Sequence, residues 1–150
     1  MKIAIGNDHA AGELKQVIID LIKELGNDVI DVGAPIGEPI DYPIPGEKVG
    51  RLVAAGEADL GVLICGTGVG ISLAANKVKG IRAAAVSDTA TARLIREHNN
   101  ANVIAIGARI VGSELAKDII KTFLTTDFSG EERHQRRIDL ISDAEERFGK

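Results

Sequence analysis

Apolar residues along this chain fall into two alternating patterns. Short runs in which nearly every position is apolar read as five strands: Ile3-Ala4-Ile5, Val29-Ile30-Asp31-Val32, Leu60-Gly61-Val62-Leu63-Ile64, Ala83-Ala84-Ala85-Val86 and Val103-Ile104-Ala105-Ile106. Continuous rather than alternating apolarity marks strands covered on both faces, as in a parallel sheet. Between the first two runs, Leu14, Val17, Ile18, Leu21, Ile22 and Leu25 recur at helical spacing and Gly26 supplies a stop. Weaker helical patterns follow at Val49, Leu52 and Val53, at residues 71–75, at Thr91, Leu94, Ile95 and His98, and at Leu115, Ile119, Ile120 and Phe123. Strand and helix alternating in this way predict a single α/β domain over residues 1–150, a three-layer α/β/α sandwich on a five-stranded parallel sheet.

A last helix is expected over about 131–148, with Arg133, Arg137, Ile141, Ala144 and Phe148 as the stripe that docks on its own sheet or on a second subunit. All four prolines, Pro35, Pro39, Pro43 and Pro45, are expected in one long loop after the second strand, stiff enough to form the wall of a site.

Composition narrows the class. The chain has 150 residues and is 45% hydrophobic with few aromatics, so its core is built from Ile, Leu, Val and Ala. A net charge of -4 gives no general attraction to nucleic acid. No apolar stretch approaches the ~20 residues of a membrane span, and the apolar run at the N-terminus is too short for a signal peptide. One cysteine excludes an internal disulfide or a multi-cysteine zinc site, and a cytoplasmic protein is expected.

Ligands of open parallel sheets bind beyond the carboxyl ends of the strands. The segments there are Asn7-Asp8-His9, the proline loop with Asp41-Tyr42, Cys65-Gly66-Thr67-Gly68-Val69-Gly70, Ser87-Asp88 and Gly107-Ala108-Arg109. The third is the most informative: a strand ends at Cys65, glycines follow at alternate positions and a helix begins, so several backbone N–H groups converge beside a sulfur. Cys65 read alone is a packing residue as readily as a reactive one. The glycine spacing differs from a dinucleotide fingerprint, and no Walker lysine follows.

Other residues carry paired readings. Asp8 caps the first helix or accepts hydrogen bonds from a polyol, with His9 facing a phosphate. His9 and Glu13 share a helix face, but a third metal ligand is missing nearby, so neither metal nor cofactor is expected. Arg133 and Arg137, one turn apart, suit an anion or form surface ion pairs with Glu131, Glu132 and Asp139. His98 continues the apolar face of its helix as a core histidine would. Its place before Asn99-Asn100 at a helix end also puts it near the amino edge of the sheet, where it would serve a neighbouring subunit.

Together, Gly6-Asn7-Asp8-His9, Asp41-Tyr42-Pro43, Cys65-Gly66-Thr67-Gly68-Val69-Gly70-Ile71, Ala74-Ala75-Asn76-Lys77, His98-Asn99, Gly107-Ala108-Arg109 and Arg133-His134-Gln135 resemble the type B ribose-5-phosphate isomerases. Isomerases of allose and galactose 6-phosphates belong to the same superfamily. The resemblance implies a Rossmann-like sandwich, a small-molecule sugar-phosphate substrate, and a homodimer or tetramer with sites between subunits. By position it implies that Cys65 moves a proton between C1 and C2 with Thr67 assisting, and that Gly66, Gly68, Val69 and Gly70 line the enediolate oxygen. It further implies that His98 and Asn99 open the furanose ring from the partner chain. Asp8 would bind a hydroxyl, Tyr42 would line the pocket, and His9, Arg109, Arg133 and Arg137 would take the phosphate. The chain departs from the family at Glu131-Glu132, where a Gly-Gly pair is frequent. The competing class is a non-catalytic sugar-phosphate or nucleotide-binding module.

Overall fold

The computed structural model describes residues 1–149. Its strands are β1 (Lys2–Asn7), β2 (Asp28–Asp31), β3 (Leu60–Cys65), β4 (Ala83–Ala85) and β5 (Val103–Gly107). Its helices are α1 (Leu14–Glu24), α2 (Pro43–Ala54), α3 (Val69–Ala75), α4 (Thr89–Glu97), α5 (Ser113–Thr125) and α6 (Glu132–Arg147), with a 3-10 turn at His9–Ala11. All pairings are parallel and the strand order is β2-β1-β3-β5-β4.

The three central strands are buried almost end to end, as their unbroken apolar runs predict, and the pleat sorts their side chains between two helix layers. Ile3, Ile5, Val62, Ile64, Ile104 and Ile106 meet Ile18 and Ile22 of α1 and Ile119, Ile120 and Phe123 of α5. Ala4, Leu63, Cys65, Val103 and Ala105 face Val49 and Val53 of α2 and Ile71 and Ala75 of α3. On this second face the residues are smaller and α2 comes very close: a Cβ on Gly61 would lie 2.6 Å from Val49. The edge strands β2 and β4 are only half covered, so continuous apolarity overstated their burial. α1 stops where expected, with Gly26 at φ 85° and the Asn27 N–H donating to the Ile22 carbonyl.

One expectation is corrected. The proline loop is shorter than predicted, because Pro43 and Pro45 lie in the first turn of α2, where a missing N–H leaves no helical bond unmade. Within its own chain α6 docks through His134, Ile138 and polar contacts. His134 and Ile138 are buried, Glu145 accepts from the Gly80 N–H and Glu146 pairs with Lys79. From the predicted stripe, Ile141 and Phe148 stay exposed, at 50% and 75%.

In this strand order the chain turns outward to β2 on one side of β1 and to β3, β5 and β4 on the other. The reversal point lies between β1 and β3, whose carboxyl ends carry Asn7-Asp8 and Cys65. A crevice at that point is where open α/β sheets take their ligands.

Candidate active site

Asp8 leaves β1 directly beside the end of β3, with its N–H donating to the Ile64 carbonyl at 3.2 Å. Its carboxylate accepts from the Ala10 N–H at 2.9 Å, so it does cap the 3-10 turn. That bond engages Oδ1 only, in a side chain that is otherwise buried at the crevice floor. His9 follows it and is exposed.

Cys65 is 4% exposed and its Sγ accepts a hydrogen bond from the Gly68 N–H at 3.2 Å. Gly68 takes φ 82°, a left-handed conformation that turns the chain back over the sulfur and into α3. The Thr67 hydroxyl is exposed and accepts from the Val69 N–H at 3.2 Å. The first-turn N–H groups of Gly70 and Ile71 have no intrahelical acceptor.

Close approaches at glycine bring the remaining parts together. A Cβ on Gly70 would meet the Tyr42 ring at 2.6 Å, so this ring packs against the start of α3. A Cβ on Gly66 would meet Arg109 Nη1 at 3.3 Å, which places the guanidinium over the loop. A Cβ on Gly107 would strike the Thr67 backbone at 2.7 Å, so β5 supports the loop from beneath. Asp8 and the 65–70 loop therefore lie together at the carboxyl edge of the sheet, with Tyr42 and Arg109 packed on that loop and His9 beside Asp8.

His98, Asn99, Arg133 and Arg137 form a second group elsewhere. His98 closes α4 and is exposed, which corrects the core-histidine reading. Its ring stacks on that of His134, with centroids 4.3 Å apart. His134 is itself buried, its Nδ1 lies 2.9 Å from the Ser129 hydroxyl, and burial, then the His98 and Arg133 charges, hold its pKa below the usual imidazole value. Arg133 forms an ion pair with Glu131 at 3.1 Å. Arg137 lies one turn further along α6 and is exposed.

Sequence reasoning missed the support beneath Asp8. Asn7 Nδ2 donates to the Asp8 and Ala34 carbonyls at 3.0 and 3.2 Å, and Lys15 Nζ donates to the same Ala34 carbonyl at 3.0 Å while pairing with Asp31 at 2.9 Å. The network pins the loop after β2 against the end of β1. Its signal was present in the pattern: Lys15 lies on the apolar stripe of α1, three residues before Ile18 and seven before Ile22. Among the described residues, no three His, Cys, Asp or Glu side chains converge as metal ligands would.

Comparison with known proteins assigns the family. Residues 3–141 match the Ribose/Galactose Isomerase family. Ribose-5-phosphate isomerase B of Escherichia coli is 49% identical, with 97% of each chain covered. The galactose-6-phosphate isomerase subunit LacB of Clostridium acetobutylicum is 47% identical over 99% of this chain and 88% of that one. The structure of ribose-5-phosphate isomerase B from Clostridium thermocellum superposes with a TM-score of 0.95 at 49% identity, covering 99% of both chains. The chain belongs to the ribose/galactose isomerase family of aldose-ketose isomerases.

Proposed function

We propose that this protein interconverts ribose 5-phosphate and ribulose 5-phosphate through an enediolate, in a homodimer or tetramer whose sites each draw on two chains. The observation that carries the reading is the division of the predicted machinery: a sulfur beneath an N–H donor, with Asp8, Tyr42 and Arg109 around it, and a separate exposed group built on His98.

In this mechanism His98 and Asn99 of one chain open the furanose, His98 exchanging protons with the anomeric and ring oxygens. Cys65 of the other chain, as a thiolate, removes the C2 proton: the C2–H bond breaks, an S–H bond forms, and the electron pair passes to the C1 oxygen. Thr67 and the N–H groups of the 66–70 loop hold the charge that develops on oxygen. The proton then returns from sulfur to C1 as the O2 hydroxyl proton moves to O1, so the net change is an isomerisation without a redox partner. Asp8 binds a substrate hydroxyl, Tyr42 walls the pocket, and His9 and Arg109, with Arg133 and Arg137 of the second chain, grip the phosphate and orient the reacting carbons. We place this activity in the cytoplasm, in pentose phosphate metabolism.

The two-chain site has a direct test. Cys65→Ala and His98→Ala, each nearly inactive alone, are co-expressed. A hybrid dimer holds one site with both lesions and one with neither, so random mixing should restore about a quarter of wild-type activity. Isolated hybrids without recovered activity would refute the shared site. Parallel kcat/KM measurements on ribose, allose and galactose phosphates decide the preferred sugar. A folded protein that binds these sugars but exchanges no C2 proton would instead be a binding module.

A further inference from the structure

The corner that carries His98 and Asn99 is held more firmly than the end of a nine-residue helix requires. The chain leaves α4 through two nested backbone bonds, the Asn100 N–H on the Arg96 carbonyl at 3.2 Å and the Ala101 N–H on the Ile95 carbonyl at 2.9 Å. Asn100 takes φ 44°, the one positive φ among the described non-glycine residues. These bonds already terminate the helix.

Yet the next three carbonyls are also taken, all by guanidinium donors. Arg82, just before β4, donates from Nε to the Asn99 carbonyl at 2.9 Å and from Nη2 to the Asn100 carbonyl at 3.0 Å. Arg96 donates from Nη1 to the Ala101 carbonyl at 2.6 Å and to Asn100 Oδ1 at 2.9 Å. Its Nε reaches the Thr126 carbonyl at 3.1 Å, and its Cζ lies 5.7 Å from the centre of the Phe123 ring. Both arginines are partly buried, and that burial draws their pKa values below the ordinary guanidinium range.

Water would satisfy those carbonyls without desolvating two cations, so helix termination alone does not account for the arrangement. What two rigid forks add is direction. Each Arg82 donor is tied to a different peptide, which fixes the peptide planes on the C-terminal side of His98. On the other side, the Ser129 N–H holds the Glu97 carbonyl at 3.2 Å, and His134 stacks on the imidazole. A helix end is ordinarily the first part to fray, whereas proton transfer demands heavy atoms within about 3 Å.

We infer that Arg82 and Arg96 are positioning residues for ring opening: they clasp the 99–101 backbone so that His98 and Asn99 stand rigidly at the surface, preset to meet a sugar held by another chain. The inference rests on the reading of His98 as the ring-opening group.

Ribulose 5-phosphate separates ring opening from proton transfer, because its C5 oxygen carries the phosphate and no furanose can form. Deuterium uptake at its C1 in D2O therefore reports Cys65 chemistry alone, whereas turnover of ribose 5-phosphate also requires the ring to open. Lysine keeps the charge but supplies no fork. Arg82→Lys and Arg96→Lys should each lower ribose 5-phosphate turnover by about tenfold or more and leave exchange into ribulose 5-phosphate within about twofold of wild type. A parallel fall in both rates, as from a purely structural role, overturns the inference, as does no change in either. Arg96 also packs on Phe123, so if its variant does not fold, Arg82→Lys decides. His98→Ala is measured alongside. If it separates the two rates and the arginine variants do not, the clasp is wrong and the role of His98 stands. If His98→Ala fails to separate them, the ring-opening reading falls and the clasp falls with it.

Discussion

Gly107 offers the sharpest test of how tightly the 66–70 loop is supported. It ends β5 opposite Cys65, and a methyl group there would lie 2.7 Å from Thr67 Cα, 2.7 Å from its carbonyl carbon and 2.8 Å from its oxygen. These are backbone atoms with no rotamer to escape into. Ordinary carbon contacts begin near 3.4 Å, so Gly107→Ala must push the loop outward by about 0.7 Å. That motion lifts the Gly68 N–H away from Cys65 Sγ and shifts the Thr67 hydroxyl. A misplacement near 1 Å at reacting groups lowers kcat on the order of 100-fold, equivalent to about 2.7 kcal/mol of barrier. Overpacking should remove about 1–3 kcal/mol of stability, a fall in Tm of roughly 2–12 °C. Gly112→Ala is the control, because nothing lies within 4 Å of its Cβ position. The assay follows ketose formation from ribose 5-phosphate beside a thermal melt of each variant. A folded Gly107→Ala protein with wild-type kcat would show that the 66–70 loop need not be held in place, and the argument from close packing would fail.

Three further outcomes are expected. Cys65→Ala should melt near the wild-type temperature yet lose both isomerisation and solvent exchange at C2, and near-normal turnover by the folded variant would remove the sulfur from the mechanism. Glu131→Gln breaks the ion pair with Arg133; the freed guanidinium should lower KM for the sugar phosphate severalfold with little change in kcat, whereas an unchanged KM would place Arg133 outside the phosphate site. Because the folded pKa of His134 is depressed, the unfolded chain binds more protons between that value and about 6.5. Its contribution to stability is therefore complete above that window and lost as pH falls through it. The Tm of His134→Gln should depend less on pH there than the wild-type Tm, and identical profiles would contradict the assignment.

Much of the fold was legible because its main signals are local. Central strands need apolar residues on both faces, and α1 announces its inward face by an apolar stripe centred on the buried Ile18, Leu21 and Ile22. What escaped was decided by partners distant in sequence. The start of α2 was hidden because Pro43 and Pro45 look like loop residues until the first turn of a helix claims them. The intrachain face of α6 was not legible because polar contacts dock it, through Ser129, Gly80 and Lys79, which leave no apolar periodicity. In the site, Cys65, Asp8 and Arg109 were placed at strand ends by the α/β pattern. The arginine clasp was not, since it joins carbonyls whose positions exist only once the chain is folded, and the Asn7-Lys15 support showed only as a charge on the apolar stripe of α1.

The direction of α4 explains why the proposed site needs a second chain. The helix starts at Asp88, just beyond the carboxyl edge of the sheet, and its nine residues run back about 13 Å toward the amino edge before reaching His98. No side-chain rotamer recovers that distance, so a group at this helix end acts on the crevice of another copy or on none. On that proposal the crevice of a single chain is incomplete. His9, Thr67 and Arg109 are exposed, and Tyr42, Val69, Leu73 and Ile110 leave an apolar rim open to water. Covering such side chains contributes about 1.5–3 kcal/mol for each one fully buried, and the same cover excludes the water that would weaken every charge interaction with the enediolate. Dimerisation and catalysis would then draw on the same surface, so substitutions along that rim should weaken both together.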